Sequence, residues 1–77
     1  MKKLKVLVAD SQVVVRQQLL QELNKDTHIE VVGAVGDGRE AYEIFEREEP
    51  NVVIFDLLLP IYDGYALLEK MNEHGIG

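Results

Sequence analysis

Apolar positions along this chain fall into two kinds of run. "LKVLVAD" (4–10) is short, valine-rich and continuous rather than alternating. Continuous hydrophobicity over so few residues predicts a strand buried on both faces, as in a parallel sheet. "IEVVGAV" (29–35) reads as a second strand, with Gly33 weakening its middle, and "NVVIFD" (51–56) as a third. Between them the period changes. In "SQVVVRQQLLQELNK" (11–25), Val15, Leu19, Leu20 and Leu23 share one helical stripe, while Arg16, Gln17, Gln21 and Glu22 fall elsewhere. Ser11 or Gln12 takes its N-cap. The β-branched pair Val13 and Val14 weighs slightly against the helix. "DTH" (26–28) is a turn. "DGRE" (37–40) has the capping-box form and opens a helix to about Glu48, with Ala41, Ile44 and Phe45 as its stripe and Pro50 as its stop. "LLLPIYDG" (57–64) is a loop punctuated by proline and glycine. "DGYALLEKMNEHG" (63–75) reads as a third helix, with Asp63 near its cap, Leu67, Leu68 and Met71 inward and Gly75 as its stop.

The order is therefore β-α-β-α-β-α, which predicts an α/β fold. Right-handed crossovers make it an open parallel sheet with helices on both faces. At 77 residues the chain holds one small domain. A net charge of -6 argues against a nucleic-acid partner, which would need a basic face. The absence of cysteine excludes disulfides and thiolate zinc sites, and a cytoplasmic location is expected. The apolar runs are too short to span a membrane, and Asp10 ends the first one too early for a signal peptide.

The first and third strands each end in aspartate, Asp10 and Asp56. Ligands of doubly wound sheets bind outside the carboxyl ends of strands, where the winding reverses. In the flavodoxin-like order 2-1-3, strands one and three are neighbours there, so Asp10 and Asp56 project into one crevice. Adjacent carboxylates repel, and partial burial adds desolvation. A hard divalent cation such as Mg²⁺ relieves both. Taken singly, either aspartate is more readily explained as a turn or helix cap. The pair, with the loop after Asp56, favours the functional reading.

That loop carries a resemblance. "VIFDLLLPIYDGYALLEKM" resembles the phosphorylation segment of bacterial response-regulator receiver domains: an apolar strand, Asp56, then Leu59-Pro60 and Asp63-Gly64 at the family's spacing. "KVLVAD" and "VVGAVGDGREAYEIFEREEPNVVIFD" match as well, so nearly the whole chain is covered. The "VADSQ" start looks most like receivers of DNA-binding regulators, including the sporulation stage 0 master regulator. The resemblance implies a truncated flavodoxin-like fold. It also implies a non-enzymatic module of two-component signalling and phosphorelays that controls an output domain, by family habit a transcription domain. Asp56 would accept a phosphoryl group from a histidine kinase or phosphotransferase. Mg²⁺ would be held by Asp10, Asp56 and the backbone carbonyl of Leu58.

Two departures follow. The family usually has a second acidic residue after strand one, and here Ser11 stands in its place. Its neutral hydroxyl is a weaker metal ligand, so reduced Mg²⁺ affinity is expected; Ser11 serves equally well as a helix cap. The family has five βα units and this chain reads as three, a partial receiver over 1–77. The family's later Ser/Thr and Lys, which contact the phosphoryl group, are not in it. Strand three then becomes an apolar edge, and self-association through that strand or the helix faces is expected, as a two-fold dimer. The alternative to a phosphoacceptor is a receiver-like interaction scaffold. A flavin or nucleotide binder is third, since "GAVGDG" (33–38) has neither the spacing nor the lysine of a phosphate loop. His28 and His74 read as exposed, Glu46, Glu48 and Glu49 as a solvated face, and Tyr62 and Tyr65 as packing residues. No Ser-His-Asp arrangement is visible.

Overall fold

The three valine-rich segments form one parallel sheet. In the computed structural model, which describes residues 2–73, they are β1 (Leu4–Ala9), β2 (Ile29–Val35) and β3 (Val52–Phe55), in the order β2-β1-β3. The connections are α1 (Val13–Asn24) and α2 (Gly38–Glu48), and α3 (Gly64–Glu73) follows β3. The expected architecture and strand order are both present.

β1 is the centre. It pairs with β2 from Leu4 opposite Ile29 to Ala9 opposite Val35, and with β3 from Val6 opposite Val52 to Ala9 opposite Phe55. Successive side chains of a strand point to opposite faces. Val6, Leu7, Val8 and Ala9 are all buried, so both faces of β1 are covered. Leu7 and Ala9 join Val35, Ala41, Phe45, Leu59, Leu67 and Met71 in the main core, on the side of α2 and α3. Val6 and Val8 point the other way, where α1 packs on β1 and β2. Gly33 sits at an irregularity in the β1–β2 register, which steps from Val31 to Gly33 and leaves Val32 out of the pairing. A methyl group at Gly33 would lie 2.6 Å from Ile44 and 3.2 Å from Leu7. The glycine that weakens the strand is thus what lets α2 approach it.

Burial on both faces does not extend to β3. Val52 and Ile54 are exposed, while Val53 and Phe55 are partly buried. The strand has β1 on one side only. α1 is similarly shallow: its stripe of Val15, Leu19, Leu20 and Leu23 is half-buried, and Val13 and Val14 are exposed.

The helix ends follow local chemistry, with two corrections. The Asp37 carboxylate accepts from the Glu40 N–H at 2.8 Å, as the capping pattern requires. Asp63 likewise accepts from the Ala66 N–H at 2.9 Å and starts α3. Ser11 is not a cap, however. The N-cap of α1 is Gln12, and its side chain makes no capping bond. Gln12 is the other expected cap, and Asp10 Oδ1 accepts from the Gln12 N–H at 2.9 Å just before the helix. The second correction is Leu68. One residue advances a helix by about 100°. With Leu67 and Met71 fully inward, Leu68 turns to solvent and is 46% exposed. The expected stop at Gly75 lies outside the described residues.

Two non-glycine residues have left-handed backbone. Glu49, at φ 48°, is the C-cap of α2, where this conformation ends a helix. Ile61, at φ 71°, is different. A β-branched side chain is poorly suited to that region, and the residue is exposed, so no burial offsets the strain.

Two outcomes are expected in thermal or urea unfolding. Leu67→Ala should cost about 2–5 kcal/mol and Leu68→Ala less than about 1 kcal/mol, although the residues are adjacent on one helix. Ile61→Gly should raise the melting temperature by a few degrees, roughly 1 kcal/mol of relieved strain; a lower one would show that φ 71° is not strained.

Candidate functional site

Asp10 and Asp56 each lie one residue beyond the end of a strand, and the ladder continues through both. The Asp10 N–H donates to the Val35 carbonyl at 3.0 Å, and the Asp56 N–H donates to the Ala9 carbonyl at 2.9 Å. Both aspartates are therefore held by the sheet backbone at the same end of adjacent strands. Both are half-buried.

Each side chain then folds one oxygen onto the loop that follows. Asp10 Oδ1 accepts from Gln12, and Asp56 Oδ1 accepts from the Leu58 N–H at 3.0 Å. These are Asx turns, and they fix the carboxylates without neutralising them. Among the described residues, neither carboxylate has a cationic partner. The second oxygen of each, and the Leu58 carbonyl, accept no hydrogen bond there. Ser11 is exposed beside Asp10. The candidate ligands at this end of the sheet are thus all oxygens: two carboxylates on adjacent strands, a carbonyl and a neighbouring hydroxyl. Hard cations such as Mg²⁺ take such ligands, so the residues fit the metal the sequence implied. Two carboxylates alone form no cluster of three or more acidic or imidazole ligands, and none exists among the described residues.

The loop that carries Leu58 is shaped by close approaches of backbone. The Gly64 N–H donates to the Leu57 carbonyl at 2.8 Å. A methyl group on Gly64 would lie 2.5 Å from Leu57 Cα and 3.0 Å from the Asp56 carbonyl oxygen. Glycine after Asp63 is thus required because α3 begins against the chain leaving Asp56. On the other side, the Gly38 N–H donates to the Pro60 carbonyl at 2.9 Å, and a methyl group at Gly38 would collide with the Tyr62 carbonyl oxygen. Leu59, buried between these points, ties the loop into the core.

Two contributors were not apparent in the sequence. Arg16, read as part of the polar face of α1, is half-buried and its Nη1 donates to the Asp10 carbonyl oxygen at 2.7 Å. It holds the backbone of Asp10, not its carboxylate. Gly38 looked like part of a capping box; only the position of the Pro60–Tyr62 backbone reveals its second role. Of the remaining residues, His28 is exposed at the opposite end of the sheet, paired with Asp26 Oδ1 at 3.2 Å. His74 lies outside the described residues. "GAVGDG" is the turn from β2 into α2. Glu48 is not merely solvated, since it pairs with Lys5 at 3.7 Å and Arg47 at 3.3 Å. Tyr62 is half-buried, but Tyr65 is exposed and does not pack, because it faces away from Leu67 and Met71 on α3.

Known proteins resemble this chain in sequence and fold. The model of the response regulator receiver domain matches residues 6–76. A protein-glutamate methylesterase/protein-glutamine glutaminase of Methanococcus maripaludis is 42% identical over 74 residues, 96% of this chain and 20% of that protein. A probable transcriptional regulator of Porphyridium aerugineum, ycf27, is 35% identical over 77 residues, 95% of this chain and 30% of that protein. The signal receiver domain of the putative response regulator NarL from Mycobacterium tuberculosis superposes with a TM-score of 0.92 at 26% identity, over 96% of this chain and 60% of that one. The chain spans less than a third of those curated relatives. No helix among the described residues is long and apolar enough to cross a membrane. On the family match and the shared fold, this chain belongs to the response-regulator receiver family.

Proposed function

We propose that this chain is the phosphoacceptor part of a two-component response regulator and that Asp56 takes the phosphoryl group. One observation carries the reading: Asp56 is pinned at Oδ1 by the Leu58 N–H, which leaves its other oxygen free beside Asp10 at the mouth of the sheet. That oxygen attacks phosphorus. The bond from phosphorus to the donor breaks, and the leaving group, the imidazole of a phosphohistidine or the carboxylate of a small acyl phosphate, departs with the electron pair. Phosphoryl transfer asks for in-line positioning and charge neutralisation. Asp10, Asp56 and the Leu58 carbonyl would hold Mg²⁺, with Ser11 a weaker neutral neighbour. The ion, when bound, offsets the charge that builds up on the phosphoryl oxygens. The backbone ladder and the two Asx turns supply the positioning.

The partner at this site is a phosphohistidine donor. The relatives' names include a methylesterase and a transcriptional regulator, so the receiver sequence by itself selects no output. The matched part of the methylesterase is 20% of it, and its named activities are not assigned to this chain.

With acetyl phosphate and Mg²⁺, the protein should gain one phosphoryl mass in intact-protein spectra. Asp56→Asn should abolish the gain, and chelation of Mg²⁺ should reduce it by at least about tenfold. An unmodified wild-type protein at every Mg²⁺ concentration would instead favour the scaffold reading.

The same reading extends to association. In this chain β3 is an edge strand with Val52 and Ile54 exposed, near exposed Leu57 and Leu58. Apolar edges of this kind invite pairing, and a two-fold dimer covers two at once. Sedimentation should show dimer at high micromolar concentration, and Ile54→Lys should return it to monomer. A wild-type monomer in that range counts against the dimer.

A further inference from the structure

The loop after Asp56 has a second anchor, on α3. Lys70 Nζ, on α3, lies 4.7 Å from the centroid of the Tyr62 ring and 5.3 Å from that of Tyr42. Tyr62 belongs to the loop and Tyr42 to α2. One ammonium on α3 thus meets rings from two other segments. Tyr42 is itself tied to the core, because its ring stacks on that of Phe45 at 6.2 Å and 22°. Burial, and after it the charge of Glu46, pushes the Tyr42 phenol above its ordinary value, and Lys70 opposes that shift.

The segment this anchor holds would not hold itself. Pro60 and Ile61 are exposed, and Ile61 is in the unfavourable left-handed region. The Pro60 carbonyl receives two N–H groups, Gly38 at 2.9 Å and Tyr62 at 2.9 Å. Tyr62 is the half-buried ring that keeps this bent backbone against the start of α2. Only Leu59 separates Pro60 from the Leu58 carbonyl.

We propose that Lys70 is a positioning residue for the Asp56 site: its ammonium, held between the rings of Tyr42 and Tyr62, keeps the loop seated on α2 and so sets the Leu58 carbonyl relative to Asp10 and Asp56. The consequence for metal binding rests on the phosphoacceptor reading; the seating of the loop does not. Cation–π attraction needs a cation over a ring face. Lys70→Arg therefore keeps the contact and Lys70→Gln loses it. Tyr62→Phe keeps the ring and Tyr62→Ala removes it.

Two measurements on the whole chain test this. Amide exchange of Gly38 by NMR reports the bond to Pro60 directly. Mg²⁺ titration, followed through the Leu58 carbonyl carbon shift, reports the site. A contact of this kind at a partly exposed position corresponds to roughly a two- to fivefold change in an equilibrium. Lys70→Gln and Tyr62→Ala should speed Gly38 exchange by that factor and weaken Mg²⁺ binding similarly, while Lys70→Arg and Tyr62→Phe stay near wild type. Unchanged Gly38 exchange in Lys70→Gln would overturn the proposal, and so would an Arg variant as impaired as the Gln variant. If no form binds Mg²⁺ yet exchange follows the expected order, the phosphoacceptor reading fails and the seating role stands.

Discussion

The pairing of β1 with strands on both sides is the constraint on which the site depends. Because β1 is buried on both faces, a shift of register by one residue would move its whole set of side chains to the wrong face. The register is therefore strongly specified. Asp10 and Asp56 inherit that precision, since each is bonded to the ladder one residue past its strand. Two half-buried carboxylates are brought together by the hydrophobic requirement of the strands behind them, not by attraction for each other.

Among the described residues, no cation pairs with these carboxylates. Arg16 donates to the Asp10 carbonyl, Lys5 ties β1 to the end of α2 through Glu48, and Lys70 lies against two rings. Each positive group fastens one segment to another. The carboxylates are fastened too, but by backbone N–H groups that leave their charge intact. The mouth of the sheet, in a chain of net charge -6, thus carries two carboxylates fixed by backbone N–H groups.

Glycine governs the loop in a way that side-chain contacts do not. Gly64 and Gly38 let α3 and α2 close on the loop backbone from two directions. With its ends held so tightly, the chain between them turns through a left-handed residue, and this falls on Ile61. Strain at that position is the local consequence of packing two helix starts around one short segment.

Much of this was readable from the order of residues. Continuous valine-rich runs, helical stripes and the Asp37 and Asp63 caps follow from local periodicity and local hydrogen bonding, so the elements and their parallel arrangement were legible. So was the candidate pair, since an aspartate closing an apolar strand is a local signal. Other features depend on what lies across a gap. Leu67 and Leu68 are chemically identical neighbours, and only the direction from which the sheet approaches α3 buries one and exposes the other. The N-cap of α1 falls on Gln12 rather than Ser11, with Asp10 bonded to its N–H because the ladder had already fixed where Asp10 stands. Arg16, Gly38 and Lys70 look like ordinary helix residues until the strands and the loop are in place. Sequence alone determined which segments form strands and helices and which carboxylates close the strands, because those depend on neighbours a few residues away. Tertiary structure decided which side chains hold the site in position, because their partners are distant in the chain and meet only after the sheet has assembled.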